Sequence, residues 1–183
     1  MVRRLSTVRR ASVSGVELSG AFREAMGHLA ATVVMVTVEL DGRPWGLTIS
    51  ACCSVSATPP MILISLGEQT ATAKRISEDG RFGLSILSEH QLDAAQAGAA
   101  PGVPKFVEDF CAPGELEDSP TEMPMIRGAA AHLDCVVAQS TEVADHVVFF
   151  AEVKDVVLSD GGTPLLYWKR TYTAVDRGEQ WYH

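Results

Sequence analysis

The segment that decides the fold is PWGLTISACCSVSATPPMILISL (residues 44–66), which has no charged residue in a chain where 21% of the residues are charged. A membrane-spanning helix needs about 20 predominantly apolar residues, so the length of this segment raises the question of a membrane. Hydroxyl side chains interrupt the segment throughout, and Pro60 disfavours a helical conformation of the residue before it. We therefore expect an extended chain here and no transmembrane segment.

Side chains alternate between the two faces of an extended strand. From Trp45 to Val55 the odd-numbered positions are apolar or small, and we expect them to face the core. The even-numbered positions form a neutral hydroxyl row, defined here as Gly46, Thr48, Ser50, Cys52, Ser54 and Ser56. Three interpretations of this row stay open from its composition: a platform for a ligand, a buried contact in a dimer, and a face in solvent.

A second candidate site follows the same segment along the chain. The sequence SLGEQTAT (residues 65–72) joins a predicted strand to a predicted helix over residues 70–79, which ends at Gly80. A helix N-terminus presents unpaired N–H groups and a positive dipole, which favour a phosphate. Ordinary capping by Thr70 is the alternative interpretation. Together with the hydroxyl row, this terminus would suit the two ends of a nucleotide-like cofactor.

The remaining pattern predicts many strands and few helices. Asp41-Gly42 predicts a tight hairpin turn, and Ser19 predicts the N-cap of a helix that runs to residue 31. A short helix is predicted over residues 90–96, and a loop over 98–124. Strands are predicted over residues 32–38, 45–55, 61–66, 81–87, 129–137, 146–157 and 164–175, the last broken near Lys169. This order indicates a closed or nearly closed antiparallel barrel, because a doubly wound sheet needs a helix between most strands.

Composition narrows the class of protein. The 183 residues suit one domain, and the net charge of −8 becomes −12 when the four arginines among the first ten residues are set aside. Such an acidic body argues against nucleic-acid binding. The basic start lacks the apolar region of a secretory signal, so we expect a flexible tail over residues 1–17, a folded domain over 18–176 and a C-terminal tail over 177–183. Four cysteines without a C-x-x-C pair predict reduced thiols, a cytoplasmic location and no metal site.

The order of motifs resembles the flavin reductase family, which has the FMN-binding split-barrel fold. The resemblance rests on W-G-L-T-I-S-A-C-C-S-V-S-A-T-P-P-M-I-L-I-S-L after a strand and a D-G turn, then R-F-G-L-S-I-L, H-L-D-C-V-V, D-H-V-V-F-F-A-E-V and Y-W-K-R-T-Y. It covers about residues 20–175. It implies a mainly β, Greek-key antiparallel split barrel with peripheral helices, and a homodimer with FAD or FMN in a cleft near the interface. The implied activity is hydride transfer from NADH or NADPH to the flavin, which then leaves for a partner monooxygenase.

The resemblance also assigns residues to the site. His146, in the Asp-His pair, is expected on the nicotinamide side of the cleft as the catalytic residue, and Lys105-Phe106 is expected to help cover the ligand. The expected cofactor-binding residues are Thr48, Ser50, Ala51, Cys52, Ser54, Val55 and Ser56 around the ring and ribityl chain, Ser65, Thr70 and Thr72 around the phosphate, Phe82 and Gly83 on the next strand, and Arg170 and Tyr172 near the dinucleotide. Cys52-Cys53 and Ser85 depart from the family pattern, which leaves the choice between FAD and FMN open.

Two other functions remain open from the sequence. One is a flavin-binding module without turnover, and the other is an FMN-dependent oxidase of the pyridoxamine phosphate oxidase type. No G-x-G-x-x-G motif occurs, so we expect no Rossmann domain for the nicotinamide. Because flavin and nicotinamide carry the redox step, we also expect no Ser-His-Asp set and no acid pair.

Overall fold

The computed structural model describes residues 15–111, 122–160 and 162–175. These ranges contain three helices and ten strands. The helices are α1 (Gly15–Met26), α2 (Ala71–Asp79) and α3 (Leu92–Ala99), and a single 3₁₀ turn spans Glu108–Phe110. The strands are β1 (Ala31–Thr32), β2 (Val34–Leu40), β3 (Arg43–Ile49), β4 (Cys52–Ala57), β5 (Pro60–Gly67), β6 (Arg81–Ile86), β7 (Ala131–Val143), β8 (His146–Leu158), β9 (Leu165–Trp168) and β10 (Thr171–Ala174).

Seven strands form one antiparallel sheet in the order β3-β2-β6-β7-β8-β5-β4. Its two edge strands, β3 and β4, follow each other directly in the chain, so the sheet is open where they meet. Strands β1, β9 and β10 form a second, smaller sheet. The predicted mainly β antiparallel split barrel with peripheral helices is confirmed, and its sheet is open where a closed or nearly closed barrel was expected.

Strand β2 separates two cores, which explains why its sequence is apolar without alternation. Val34, Val36 and Val38 belong to the cluster inside the large sheet. Val33, just before the strand, and Met35 belong to a second cluster, beneath α3 and the 3₁₀ turn. A strand that is buried on both faces reads as a continuous hydrophobic run, as predicted for residues 32–38.

Local signals predicted several boundaries correctly. The Thr70 hydroxyl accepts a hydrogen bond from the Ala73 amide at 3.1 Å, and Gly80 ends α2 in the left-handed conformation at φ 69°. Asp41 and Gly42 both have positive φ in the hairpin turn between β2 and β3. The last predicted strand is broken near Lys169, as expected, into β9 and β10.

Other predicted boundaries were wrong. Helix α1 begins at Gly15 and ends at Met26, so Ser19 is not its N-cap. Inside the helix the Ser19 hydroxyl instead accepts a hydrogen bond from the Arg23 guanidinium, one turn later, at 3.2 Å. The predicted helix over residues 90–96 lies later, at Leu92–Ala99.

The strand predicted over residues 45–55 is two strands, because the chain leaves one edge of the sheet at Ile49 and joins the other edge at Cys52. The Ala51 carbonyl, between them, accepts a hydrogen bond from the Ser65 amide at 3.1 Å. A register shift between Ser54 and Ser56 bends β4 again.

The predicted tails are only partly within the described residues. The basic tail predicted over residues 1–17 lies outside them, except for residues 15–17, which begin α1. Within the predicted C-terminal tail, residues 177–183, nothing is described. In the described ranges, none of the helices has the length and apolar character needed to cross a membrane.

Candidate functional site

A cavity of about 300 Å³ lies between β3, the end of α3 and the β9–β10 hairpin. We call it the Thr48 cavity. Its lining consists of Val33, Thr48, Ile49, Ser50, Ala99, Tyr167, Arg170 and Tyr172. Small-molecule sites of proteins have volumes from about 300 Å³ upward and combine an apolar lining with a few polar groups, as this cavity does.

The position of Thr48 depends on a close approach between helix and strand. Thr48 lies opposite Met35 on β2, and α3 crosses over it at Gly98. A Cβ atom added to Gly98 would lie 2.4 Å from Thr48 Oγ1 and 3.0 Å from the Thr48 amide nitrogen. Only a residue without a side chain allows this packing.

Thr48 lines the cavity, and its hydroxyl makes no hydrogen bond within the described residues. The Oγ1 atom of this hydroxyl is buried. A buried, unpaired hydroxyl costs about 1–3 kcal/mol, so this arrangement favours a ligand that supplies the missing partner. A flat heteroaromatic ring with carbonyl and N–H groups, such as a flavin, fits this donor and acceptor set.

The β9–β10 hairpin supplies the aromatic wall of the cavity. Tyr167 and Tyr172 face each other across the two strands, with ring centroids 5.2 Å apart. Burial raises the pKa of the Tyr172 phenol, and the neighbouring Tyr167 raises it further, so the Tyr172 phenol is a neutral hydrogen-bonding group at neutral pH. Sequence reasoning identified Tyr172 and missed Tyr167, although a two-residue turn in Y-W-K-R-T-Y pairs the two tyrosines.

The turn of this hairpin carries two basic residues in an uncommon conformation. Lys169 and Arg170 have φ of 47° and 63°, where glycine or asparagine is the usual residue. Arg170 lines the cavity, so this turn places a guanidinium at the site.

The hydroxyl row does not continue as one face. Thr48 and Ser50 line the cavity, but the chain break at Ser50-Ala51 changes which side chains face inward. Cys52 lies opposite Ile64 and packs against the barrel core, whereas Cys53 is exposed. Burial raises the pKa of the Cys52 thiol to about 11, and the neighbouring Cys53 contributes to the rise, so Cys52 is an inward, neutral side chain.

The predicted alternation is therefore wrong beyond Ser50. Ala51, Ser54 and Val55 are exposed, and 48% of the Val55 surface is accessible instead of facing the core. The Ser56 hydroxyl accepts a hydrogen bond from the Thr58 amide at 3.1 Å, within its own turn.

The N-terminus of α2 forms a separate group of predicted site residues. Thr70 uses its hydroxyl for capping, donating to the Gly67 carbonyl at 2.8 Å as well as accepting from Ala73. The Thr72 hydroxyl is fully buried and has no partner among the described residues. Ser65 lies on β5 opposite Val148. These three predicted residues do not line the Thr48 cavity.

His146 lies beside the same helix terminus. It pairs with Gly67 across β5 and β8, and the Glu68 amide donates to the Asp145 carbonyl at 3.0 Å. His146 Nδ1 lies 2.7 Å from Asp145 Oδ1, and 48% of the His146 side chain is exposed. The hydrogen bond from His146 lowers the pKa of the Asp145 carboxyl, so the carboxylate orients the imidazole. His146 is not part of the lining of the Thr48 cavity.

A family model described as flavin reductase like domain matches residues 26–176. The chain belongs to this family. It is 36% identical over 148 residues to the reductase component of a 4-nitrophenol 4-monooxygenase/4-nitrocatechol 2-monooxygenase from Rhodococcus opacus, covering 81% of this chain and 76% of the relative. It is 32% identical over 154 residues to the FMN reductase (NADH) RutF of Acinetobacter baylyi, and the match covers 83% of this chain and 79% of the relative.

Solved structures of flavin reductases have the same fold as this family member. Flavin reductase PheA2 superposes with a TM-score of 0.75 at 30% identity, over 86% of this chain and 98% of PheA2. The NADH:FAD oxidoreductase SgcE6 of Streptomyces globisporus, in complex with NAD and FAD fragments, gives a TM-score of 0.78 at 27% identity, over 93% of this chain and 100% of SgcE6. The predicted family and the predicted split-barrel fold are confirmed.

Phe82 and Gly83 lie inside this flavin reductase-like domain, away from the Thr48 cavity. The Phe82 side chain is fully buried in the barrel core. A Cβ atom on Gly83 would lie 2.4 Å from Thr37 Oγ1 and 2.8 Å from His132 Cε1. In this structure both residues serve packing, and neither contacts the cavity.

A Ser-His-Asp chain, which the sequence was expected to lack, lies on the same face of the reductase domain as Gly83. Ser85 Oγ lies 3.0 Å from His132 Nδ1, and His132 Nε2 lies 3.1 Å from Asp134 Oδ1. The Ile126 amide donates to Ser85 Oγ, and the Glu122 amide donates to Asp134 Oδ2. Because the Ser85 hydroxyl is fully buried, this chain holds residues 122–126 against the sheet instead of presenting a nucleophile.

The Lys105-Phe106 pair lies alongside strand β3 and pairs with its outer edge. The Gly46 amide donates to the Lys105 carbonyl at 2.9 Å, and the Phe106 ring packs edge-on against Trp45 at 5.1 Å. The Lys105 ammonium donates to the Ala100 carbonyl. These contacts fix the segment after α3, and neither residue lines the Thr48 cavity.

Proposed function

We propose that this chain is an NAD(P)H:flavin oxidoreductase, which reduces FAD or FMN by hydride transfer and supplies diffusible reduced flavin to a partner monooxygenase. The observation that carries the proposal is the Thr48 cavity, with its buried, unpaired hydroxyl beside two tyrosines and an arginine. Membership in the flavin reductase-like family supports it. Relatives that bear the names of NADH-dependent FMN reductase and of monooxygenase reductase component support the nicotinamide and the partner.

The residues of the cavity would bind and orient the reactants. Nicotinamide and flavin supply the redox chemistry themselves, one giving a hydride and the other accepting it together with a proton from water. Thr48 and Ser50 would hydrogen-bond the polar edge of the ring, and the tyrosine pair would cover its apolar part. Arg170 would hold a phosphate by a charge-assisted hydrogen bond. Orientation and exclusion of water are the protein's contributions to rate.

The N-terminus of α2 is the proposed phosphate end of the flavin. The positive dipole of this terminus and the Thr72 hydroxyl, which has no partner among the described residues, support this role for Ser65, Thr70 and Thr72. His146 stays the proposed contact of the nicotinamide, because Asp145 holds its ring while half of the side chain is exposed. We expect His146→Ala to raise the KM for NADH or lower kcat at least fivefold with less than twofold change in flavin affinity. Kinetics equal to wild type would remove His146 from the site.

We also propose a homodimer. The part of the β7–β8 hairpin beyond Val137 is exposed on both faces over residues 138–143, including Val143 at 54% exposure. Residues 139–143 pair with β8 on one side, while the other side of β7 pairs with β6 only as far as Val136, so this free strand edge favours contact with a second copy. Light scattering after size-exclusion chromatography should give twice the mass of the chain, and a monomer at micromolar concentration would contradict the proposal.

The four free cysteines support a reducing, cytoplasmic location.

Steady-state oxidation of NADH and NADPH, each with FMN and with FAD, tests the proposed activity. We expect consumption of the nicotinamide only when free flavin is added. Reduced flavin made without oxygen should cross a dialysis membrane to a flavin-dependent monooxygenase and support product formation there once oxygen is admitted. Tight flavin binding without nicotinamide oxidation would instead favour the flavin-binding module or the oxidase type.

A further inference from the structure

A second cavity, of about 430 Å³, lies between α1 and the turn of the β9–β10 hairpin. We call it the α1 cavity. Its lining consists of Gly20, Arg23, Glu24, Gly27, His28, Lys169 and Arg170. Arg170 lines this cavity and the Thr48 cavity alike, so the two cavities are neighbours that share this residue.

The charge of the α1 cavity is opposite to that of the chain. Arg23, Lys169 and Arg170 surround it with one carboxylate, Glu24, whereas the whole chain carries −8. Within the described residues, none of these three cations lies within 4 Å of a carboxylate oxygen, while Arg43, Arg75 and Arg81 each form an ion pair. An excess of unpaired cations around a cavity favours an anionic ligand.

The backbone holds these cations in place. The Lys169 amide donates to the Gly27 carbonyl at 3.0 Å, which ties the turn to the end of α1 and removes that carbonyl from the cavity. Arg23 is oriented by hydrogen bonds to the Ser19 carbonyl and hydroxyl at 3.3 and 3.2 Å. The positive φ of Lys169 and Arg170 disfavours long side chains, so two basic residues occupy a turn that Asn-Gly would form with less strain.

We propose that the α1 cavity binds the phosphate or pyrophosphate of an adenylate-bearing ligand, while the flavin ring occupies the Thr48 cavity. This inference rests on the proposed function, and it adds a binding site for the part of the ligand that does not react. The adenylate belongs either to NAD(P)H or to FAD. FMN has no adenylate and does not reach the α1 cavity.

The test uses the double variant Arg23→Gln/Lys169→Gln, which leaves Arg170 and the Thr48 cavity intact. The control Arg43→Gln/Lys154→Gln removes the same charge at residues that line neither of the two cavities. Dissociation constants are measured by flavin fluorescence for FMN and FAD, and by calorimetry for NAD⁺ and NADP⁺ with FMN-loaded protein. Circular dichroism establishes that each variant is folded, and Lys169→Gln alone replaces the double variant if it is not.

We expect at least fivefold weaker binding of the adenylate ligand by the double variant, and less than twofold change for FMN and for the control. Weaker binding of FAD alone assigns the cavity to FAD, and weaker binding of NAD⁺ and NADP⁺ assigns it to the nicotinamide dinucleotide. The affinity of wild type should also fall more steeply with salt than that of the double variant. Binding of all four ligands within twofold of wild type would overturn the inference. A wild-type protein that binds these ligands but does not oxidise NAD(P)H would refute the proposed function without refuting this site.

Discussion

Gly98→Ala tests the packing that creates the Thr48 cavity. The added methyl would lie 2.4 Å from Thr48 Oγ1, 2.9 Å from Met35 Cε and 3.0 Å from the Thr48 amide nitrogen. The Thr48 and Met35 side chains have alternative rotamers, but the contact with the strand backbone is relieved only if α3 moves away from β3. Met35 is fully buried, so its own movement is limited.

The expected cost follows from overpacking, which destabilises proteins by about 1–3 kcal/mol. Alanine has a better helix propensity than glycine by up to about 1 kcal/mol, which offsets part of this cost. We expect a net loss of about 1–2 kcal/mol in the free energy of unfolding. Movement of α3 or rotation of Thr48 also displaces the hydroxyl, so flavin affinity should fall at least fivefold.

Equilibrium unfolding in urea measures the loss in the free energy of unfolding, and fluorescence titration with FMN measures the fall in flavin affinity. Gly162→Ala is the matched control, since its nearest neighbour, Ser88 Cβ, would lie at an ordinary 3.4 Å from the new methyl. Its free energy of unfolding should stay within about 0.5 kcal/mol of wild type. Gly98→Ala with wild-type stability and wild-type flavin affinity would refute the reasoning about this contact.

Three further perturbations test other parts of the structure. Thr48→Val removes a buried, unpaired hydroxyl, so the flavin-free protein should be as stable as wild type or more stable while FMN binds about 2- to 10-fold more weakly; unchanged FMN affinity would separate Thr48 from the flavin. His132→Leu breaks the chain to Ser85 and Asp134 and should cost about 1–3 kcal/mol in urea unfolding, whereas the exposed control His90→Leu should be neutral. Burial raises the pKa of the Cys135 thiol to about 12 from 9.0, so the folded protein keeps a proton that the unfolded chain releases. The free energy of unfolding should therefore fall between pH 9 and 12, and Cys135→Ala should reduce that slope; an identical slope would contradict the buried, neutral thiol.

The sequence by itself determined the elements whose signals are local. Thr70 begins α2 and Gly80 ends it, because a hydroxyl cap and a left-handed glycine act within one turn of the helix. Asp41-Gly42 determined the first hairpin for the same reason, since its positive φ values are a property of the turn. The order of the strand motifs was enough to predict the family and the antiparallel split barrel.

Only the tertiary structure decided which side chains share a site. Alternation along residues 45–55 assumes one continuous strand, but the chain crosses from one sheet edge to the other at Ser50-Ala51. That crossing turns Cys52 inward and leaves Thr48 and Ser50 as the members of the hydroxyl row that line the cavity. Tyr167 and Arg170 reach the same cavity through a different sheet, far along the chain. Such placements depend on how edges, helices and turns pack together, and local residue patterns do not contain that information.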